Sequence, residues 1–456
     1  MAKSKKPYQL PIKLTCDQAK VKKGVSIEIA KEYIDKHDVM MRRYKYLENL
    51  YKGFHDVYKQ PEKEQWKPDN RLAVNFPRYI TDTFTGYGYG IPIKEACDDN
   101  KEANDAIQGF CSHNEIRDHE AELIKKCCIY GHAIEYIYQD EKARTKVTSF
   151  SPQEMFIVYD DTVKGRALFS IRYGYHSTES DRIGKLYGEI HTRESIQTFD
   201  GGKITDDTEN PYGYIPCVEW RLNDERMGLF EPIAGLVEAY NHTIGEKAND
   251  VDAFAEAYLA ILGAQVNEDD IYKIRDDRVI NMYGTDDAKD ILVEFLQKPT
   301  ADGTQENLLN RLENLIYQTS MVANISDESF GNATSGTALA YKLQAMSNLA
   351  LTFDRKIEKA IKKRYKIFCS LSTNVSDPNV WEDVKVTTTR NLPKNKKEEA
   401  STAKDLVGIV SSETILKNLS IVSDPAEEIK KMEKESDDYQ KKIDEQVYSN
   451  NDIKDN

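Results

Sequence analysis

The sequence lacks most of the short motifs that identify enzymes and membrane proteins. It has no run of 18 or more apolar residues, so it contains no candidate transmembrane helix. Its seven cysteines form no C-x-x-C pair, and there is no G-x-S-x-G nucleophile elbow. These absences argue against a membrane protein, a thiolate zinc site and an α/β-hydrolase. They favour reduced thiols in a cytosolic protein.

Apolar residues are also scarce for a chain of this length. Only 39% of the 456 residues are hydrophobic, whereas 31% are charged. Either much of the chain is elongated and solvated, or its apolar surface is completed by copies of itself. The net charge of −14 argues against a protein that clamps nucleic acid, because such binding needs lysine and arginine to displace phosphate counterions.

One stretch has almost the spacing of a nucleotide-binding P-loop. In "NISDESFGNATSGTALAYKL" (324–343), Gly331 and Gly336 are separated by four residues, and a helical pattern follows. Thr337 stands where the P-loop lysine would be, and Ala338 where the magnesium-binding hydroxyl would be. No hydrophobic strand precedes the glycines. The pattern therefore predicts a polar loop hinged at the two glycines rather than a nucleotide site.

Histidines and carboxylates cluster once, between residues 113 and 120. His113 and His119 are six positions apart, with Glu115, Asp118 and Glu120 between or beside them. Positions six apart do not share a helix face well, and the second histidine of H-E-x-x-H is missing. The sequence predicts a solvated helix face here, and neither a metal site nor a bound cofactor anywhere in the chain.

Hydrophobic periodicity divides the chain into helical and strand-rich regions. A long amphipathic pattern runs over 231–262 and includes Val237, Tyr240, Ile244 and Val251. Short β-branched and aromatic runs separated by turn signals predict an antiparallel sheet region over 131–221. Further helices are predicted over 25–58, 101–130, 305–322, 336–371 and 396–446, and further strands in 263–304 and in "VKVTTTR".

Three stretches carry a resemblance to a known family. They are "NRLAVNFPRYITDTFTGYGYGIPI" (70–93), "NISDESFGNATSGTALAYKL" (324–343) and "RNLPKNKKEEA" (390–400). In sequence, order and spacing they resemble blocks of the portal proteins of tailed bacteriophages, specifically the group found in long-tailed phages of Gram-positive hosts. The first 25 residues match nothing in that family.

The resemblance implies an α+β subunit of elongated portal type, with long stem helices, an antiparallel-β wing, a small clip insert and a helical crown. In this sequence the implied parts are a wing (1–230), a stem helix (231–262), a clip (263–304), a second stem helix (305–322), a tunnel loop (323–336), the long helix and returning strand of the wing (337–395), and a crown with an acidic tail (396–456).

The resemblance also implies a function without catalysis. Portal proteins form rings, usually of twelve subunits, at one capsid vertex, where double-stranded DNA enters during packaging and leaves at ejection. The implied partners are the terminase packaging motor, head-completion or adaptor proteins, and the major capsid and scaffold proteins, with no membrane. The implied location is the virion, and the host cytoplasm during assembly.

Within this framework the P-loop-like stretch corresponds to the tunnel loop, where DNA must slide past without being held. We expect the DNA-facing residues to be Asp327, Glu328, Asn332 and Ser335, with the two glycines as hinges, because acidic side chains repel phosphates. The alternative is a simple linker between two helices. For the stem helix, Val237, Tyr240, Ile244 and Val251 are expected to contact neighbouring subunits.

Two other function classes stay open at this level. One is another head–tail connector or adaptor of the virion, although such proteins are usually much shorter than 456 residues. The other is an acidic nucleotide-dependent enzyme, against which the missing P-loop lysine argues.

Overall fold

The computed structural model describes residues 13–64, 67–98, 100–176, 184–255, 258–262, 292–296, 302–325, 336–391, 396–417, 419, 422 and 428–435. The chain divides into two compact units. The larger unit comprises residues 1–324 and 343–390, and the smaller comprises residues 325–342 and 391–456.

The helices of the larger unit start and end at residues suited to caps. Ser26 accepts a hydrogen bond from the amide of Ile29 at the start of a 26-residue helix, and Gly53 ends that helix with φ 88°. The helices of this unit are α1 (Gln18–Val21), α2 (Ile27–Lys52), α3 (Phe76–Tyr89), α4 (Lys101–His113), α5 (Ile116–Tyr130), α6 (Ala234–Ala255) and α7 (Asp302–Ser320). After α8 (Gly336–Lys342) of the smaller unit, α9 (Gln344–Phe368) completes them, and α10 (Lys396–Leu406) and α11 (Ser412–Lys417) lie in the smaller unit.

The thirteen described strands all lie in the larger unit. They are β1 (Thr15–Cys16), β2 (Lys94–Ala96), β3 (His132–Gln139), β4 (Thr145–Phe150), β5 (Met155–Asp160), β6 (Ala167–Tyr175), β7 (Leu186–His191), β8 (Ser195–Asp200), β9 (Lys203–Glu209), β10 (Cys217–Arg221), β11 (Tyr258–Leu262), β12 (Leu292–Leu296) and β13 (Lys385–Thr387).

These strands form small antiparallel sheets. Six strands pair in the order β1-β5-β6-β7-β8-β9, three in the order β10-β3-β4, and two pairs stand alone, β11-β12 and β13-β2. The two-residue β1 is the parallel exception among the described pairs. The mixed helical and antiparallel fold and the predicted sheet region over 131–221 are both confirmed.

Helix α2 covers one face of the six-stranded sheet. Tyr33 packs edge-on against Phe169 with ring centroids 5.4 Å apart, and His37 stacks on Phe156 at 4.5 Å. The His37 ring also lies 2.9 Å, Nδ1 to Oη, from Tyr173. Burial lowers the pKa of His37 to about 3, so it is neutral and acts as a core residue.

Two predicted helices end elsewhere than the periodicity indicated. The helix predicted over 231–262 begins as a 3₁₀ turn at Glu231–Ile233 and ends at Ala255, and residues 258–262 form a strand instead. The run "YLAIL" is apolar throughout, so it also suits a strand, and it pairs with "LVEFL" (292–296). The prediction of helix over residues 258–262 was therefore wrong.

The helix predicted over 336–371 is divided. It consists of α8 and α9, separated at Leu343, which has φ −92° and ψ 0°. That conformation breaks the regular helical hydrogen bonding, and the division coincides with the passage of the chain from the smaller unit to the larger. Helix α9 ends at Phe368, three residues earlier than predicted.

The core of the larger unit contains a buried cluster of charges around one guanidinium group. Arg364 of α9 lies 3.0 Å from Glu95, 2.6 Å from Glu120 and 2.8 Å from Glu135. All four side chains are at most 2% exposed. Trp220 donates its indole N–H to Glu135 at 3.0 Å. One cation thus links three carboxylates from separate elements.

The same cluster corrects the prediction for residues 113–120. His113, Glu115 and Asp118 are exposed as predicted, but Glu120 is buried, and His119 lies 2.8 Å from Glu135 with only 9% of its side chain exposed. The solvated-face prediction was wrong for these two residues because α5 turns them towards charged partners that are distant in sequence.

Glu120 gives this cluster a testable pH dependence. Burial, together with neighbouring Glu95, raises the pKa of Glu120 well above its usual range despite Arg364. Its contribution to stability is therefore complete below the unfolded-state pKa and is lost as pH rises through the native pKa. The glutamine of Glu120→Gln cannot ionise. The unfolding free energy of the variant minus that of the parent should therefore increase with pH, by up to about 1.4 kcal/mol per pH unit between the unfolded-state and native pKa values of Glu120.

The measurement is urea unfolding of both proteins at mildly acidic and mildly alkaline pH. Arg364→Met is the control, since leaving buried carboxylates unpaired should cost about 3–5 kcal/mol at alkaline pH. A Glu120→Gln difference that is the same at both pH values would mean that Glu120 is ionised in the native state.

Candidate functional site

The candidate site is the pair of helices α6 and α7, with the β11–β12 ladder between them in sequence and the predicted loop after them. The two helices pack together in antiparallel fashion. Asp250 accepts a hydrogen bond from Gln305 at 2.8 Å, and Lys247 forms an ion pair with Glu306. Strand β11 follows α6 and strand β12 precedes α7, so a two-stranded ladder leads away from the pair.

The start of α6 is fixed by a buried ion pair. Glu231 and Arg43 of α2 are joined through both carboxylate oxygens, with the Arg43 Nε at 2.8 Å. Arg43 also donates to the carbonyl oxygen of Arg226 at 2.9 Å, and Glu231 accepts from the amide of Gly228 at 2.9 Å. The helix therefore cannot shift along its axis relative to α2 without exposing or unpairing buried charges.

The extended segment 70–75 runs along α6 in the opposite direction. The Asn241 side chain accepts a hydrogen bond from the amide of Val74 at 2.8 Å, and Asn249 accepts from the amide of Asn70 at 2.6 Å. Between them, a Cβ on Gly245 would lie 3.0 Å from the carbonyl oxygen of Asn70, so glycine permits the close approach. This segment is the first of the three stretches on which the family resemblance depends.

The hydrogen bonds between segment 70–75 and α6, called here the asparagine ladder, were not predicted from the sequence, although the residues that make them follow a regular spacing. Asn241, Gly245 and Asn249 recur every four residues, so they lie on one face of the helix. The prediction for this helix considered its apolar stripe and not this polar one. Asn241 and Asn249 are at most 6% exposed, which makes them structural clamps for the extended backbone.

Aromatic rings of α3 contact both helices, near the start of α6 and near the end of α7. Phe76 lies edge-on to Tyr240 of α6, with centroids 5.0 Å apart, and to Tyr317 of α7 at 5.9 Å. Tyr79 also meets Tyr317 at 5.9 Å. Edge-to-face contacts of this kind add to the stabilisation from burial, so α3 holds the pair on the body of the larger unit.

The residues predicted to contact neighbouring subunits differ in their surroundings. Val237 is fully buried by its own chain, so it has no surface to offer a neighbour. Tyr240 and Ile244 are half-buried, and Tyr240 already packs on Phe76. Val251 is 60% exposed. Of the four, Val251 presents the most apolar surface outside the subunit.

The acidic residues of α6 are engaged within the subunit. Glu246 pairs with Lys63 at 2.8 Å, and Asp252 accepts from the Asn70 side chain at 2.5 Å. Glu231 and Asp250 have the partners given above. Glu238 lies 3.5 Å from the amide of Asp56. The described acids of this helix thus make contacts within the subunit.

The five loop residues Asp327, Glu328, Gly331, Asn332 and Ser335 lie outside the described residues. The other predicted hinge, Gly336, opens α8. Before these residues in the sequence, α7 ends in a tight turn. Met321 has the left-handed φ of 59°, and the Ser320 hydroxyl accepts from the amide of Val322 at 3.3 Å.

The third resemblance stretch meets the first on α9. Arg390 donates to the carbonyl oxygen of Gly88 at 3.1 Å, forms an ion pair with Asp354, and lies over the Tyr89 ring at 5.7 Å. The Tyr89 hydroxyl donates to Asp354 at 3.1 Å and to the carbonyl oxygen of Ala350 at 3.2 Å. The residues that carried the resemblance are thus packing and anchoring residues of the fold.

In the described part of the chain, no group of three or more histidine, cysteine, aspartate or glutamate side chains is arranged to hold a metal ion. None of the described helices is both long and apolar enough to cross a bilayer. All seven cysteines are free thiols.

Comparison with known proteins agrees with the resemblance. The family model described as "Phage portal protein, SPP1 Gp6-like" matches residues 30–442. The portal protein of Bacillus phage SPP1 is 21% identical over 417 residues, covering 86% of this chain and 81% of that protein. The portal protein of Clostridium phage phiCD119 is 23% identical over 419 residues, covering 84% and 90%.

A search of solved structures gave a chain from a structure titled "Neck of empty GTA particle computed with C6 symmetry". It is 10% identical, with a TM-score of 0.43, over 76% of this chain and 90% of that chain.

The ladder between α6 and the segment 70–75 should be measurable as stability. Asn241→Leu leaves the Val74 amide without its partly buried acceptor, which should lower the unfolding free energy by about 1 kcal/mol. Trypsin should also cleave after Arg71 faster. His242→Ala, at an exposed position of the same helix, is the matched control and should change neither result. Equal unfolding midpoints for all three proteins would show that the ladder does not hold the segment.

Proposed function

This chain belongs to the SPP1 Gp6-like family of phage portal proteins, and from that premise we propose that twelve copies form a ring at one vertex of the capsid, with a central channel for double-stranded DNA. DNA would enter through this channel during packaging and leave by it at ejection. The portal role and its place in the virion follow from the family; ring number and channel are the proposal. The observation that carries it is the antiparallel pair of α6 and α7, joined in sequence through a β-ladder.

The parts of the portal subunit can then be assigned. We assign the stem to α6 and α7, and the clip to the segment between them, which begins with β11 rather than at residue 263. Residues 1–230 and 337–395 would form the wing, and 396–456 the crown and tail. The tight turn at Met321 supports an abrupt departure of the tunnel loop, 323–336, from the end of α7.

The proposed partners follow from this arrangement. The clip, at the far end of the stem from α3, would dock the terminase motor and later the head-completion or adaptor proteins. The wing would contact the major capsid and scaffold proteins. The protein would have no catalysis of its own. The alternative, a shorter connector or adaptor, fits less well because the portal relatives align over 81% and 90% of their own lengths.

The electrostatic part of the proposal concerns the loop. Within α6 the described acids already have hydrogen-bond or ion-pair partners in the subunit. We propose that Asp327 and Glu328 face the DNA and repel it, with Asn332 and Ser335 as neutral neighbours and Gly331 and Gly336 as hinges. A loop that repels phosphates would let DNA slide without being retained.

Reversing the loop charge should convert sliding into retention. Asp327→Lys with Glu328→Lys should leave folding and ring assembly intact. Purified rings should then retain DNA at low salt, and packaging should slow. Each added phosphate contact steepens the log–log salt dependence of binding by about one unit. The charge-matched control is Asp206→Lys with Glu209→Lys, on the exposed strand β9. Equal retention by parent and loop variant would favour the linker interpretation.

The subunit contact should be testable at Val251. Val251→Asp should leave the unfolding of the subunit nearly unchanged, because this side chain is 60% exposed, yet impair ring formation as seen by negative-stain imaging. Val237→Asp is the contrasting variant: it buries an unpaired charge and should destabilise the subunit itself. Normal rings from Val251→Asp would remove this helix face from the interface.

A further inference from the structure

A basic cleft lies on the larger unit, away from the helix pair described above. Its volume is about 640 Å³, within the usual range for a small-molecule site. Nine lysine and arginine side chains line it, and Glu219 is the one carboxylate among its lining residues. Such a concentration of positive charge is unexpected in a chain with a net charge of −14.

One wall of the cleft is a row of lysines on α9. Lys356, Lys359, Lys363 and Lys366 follow one another at intervals of three or four residues, so they share one face of the helix. The row extends about 15 Å along the helix axis. The opposite side carries Arg166 and Arg193, both exposed.

The carboxylates near the cleft are already neutralised. Glu219 accepts from Arg226 at 2.6 Å and from the Tyr159 hydroxyl at 2.5 Å, and it also contacts His132 at 3.0 Å and Arg221 at 3.9 Å. Asp224, outside the lining, pairs with Lys356 at 2.7 Å. Glu219 and Asp224 therefore leave most of the positive charge in the cleft uncompensated.

Arg221 pairs with Asp224 at 3.4 Å, but five other cations of the cleft have no anionic partner among the described residues. Among the described residues, no carboxylate lies within ion-pair distance of Lys359, Lys363, Lys366, Arg166 or Arg193. Lys363 is half-buried, and burial lowers its pKa, with Glu219 opposing the shift only in part. Holding so many like charges together costs stability, and a bound anion would offset that cost.

We propose that this cleft binds a ligand with several adjacent phosphate groups, such as a nucleic-acid strand or a small polyphosphate. Arginine forks and lysine ammonium groups are the side chains that suit phosphate oxygens. The lysine row is about 15 Å long, so it can contact more than one phosphate of a strand. The inference does not depend on a ring or a channel, because every residue involved belongs to one subunit.

Other occupants fit the charge less well. The first twelve residues carry lysine and no acid, so they would be repelled by the cleft. The tail over 424–456 is acidic, but its eleven acids alternate with six lysines, which would enter the cleft with them. A phosphate-rich ligand brings negative charge without that penalty.

The test uses the full-length protein and a labelled single-stranded oligonucleotide, with binding followed by anisotropy across a salt series. Lys359→Glu with Arg193→Glu should weaken binding at least about tenfold, since both contacts would be charge-assisted. The log–log salt slope should become shallower by about 1.4. The matched control, Lys142→Glu with Lys203→Glu, changes two exposed lysines outside the cleft and should bind almost as the parent does.

Competition then identifies the source of the phosphates. Displacement by tripolyphosphate would support a site for small polyphosphates as well as strands, whereas failure to compete would support the extended strand. Equal weakening by the control pair, or no binding at low salt, would overturn the proposal. So would displacement by a peptide of residues 424–456 at the affinity of the oligonucleotide. If the charge reversals disturb folding, Lys359→Gln with Arg193→Gln gives the same comparison with a smaller change.

Discussion

The larger unit depends on one buried cation, Arg364. Its guanidinium group brings together Glu95 of β2, Glu120 of α5 and Glu135 of β3, and it lies over the Trp220 ring of β10 at 5.2 Å. Buried charges tolerate little displacement, because any movement leaves one of them desolvated without a partner. Arg364 therefore links α9 to both the three-stranded sheet and α5. The basic cleft lies on the other side of that same helix, so Arg364 also determines where the lysine row faces.

Polar contacts position the helix pair in a similar way. Arg43 fixes the start of α6 through Glu231, and the Asn241, Gly245 and Asn249 ladder fixes its length against an extended segment. This changes the explanation of the polar composition. Sequence analysis attributed it to apolar stripes completed by neighbouring subunits, yet Val237 is buried within one chain. Many charged residues instead form ion pairs within the subunit. These pairs help to hold the long helices in place, so fewer apolar residues are required.

Local patterns predicted what local forces determine. Alternating β-branched and aromatic residues predicted the strands over 131–221, and periodicity predicted that helices occur near 234–255, 302–320 and 344–368. The misses arose where distant partners decide. "YLAIL" is a strand because "LVEFL" pairs with it, and His119 and Glu120 are buried because Glu135 and Arg364 meet them. No spacing within residues 113–120 contains that information. The Asn241–Gly245–Asn249 repeat was visible, but its meaning requires the backbone that lies across it.

The net charge of the chain and the local charge at one surface predict different behaviour towards nucleic acid. A total of −14 argued against nucleic-acid binding, but it averages over acids that are paired with cations, such as Glu246 with Lys63, and over the lysines that line the cleft on α9. A phosphate group near the protein responds to unpaired charges within about a Debye length, roughly 8–10 Å, and hardly to the total. Repulsion in a channel would then come from acids that face it, as proposed for Asp327 and Glu328, and attraction would be confined to the cleft. A portal subunit built this way could let DNA slide at one place and hold phosphates at another, without any change in its overall charge.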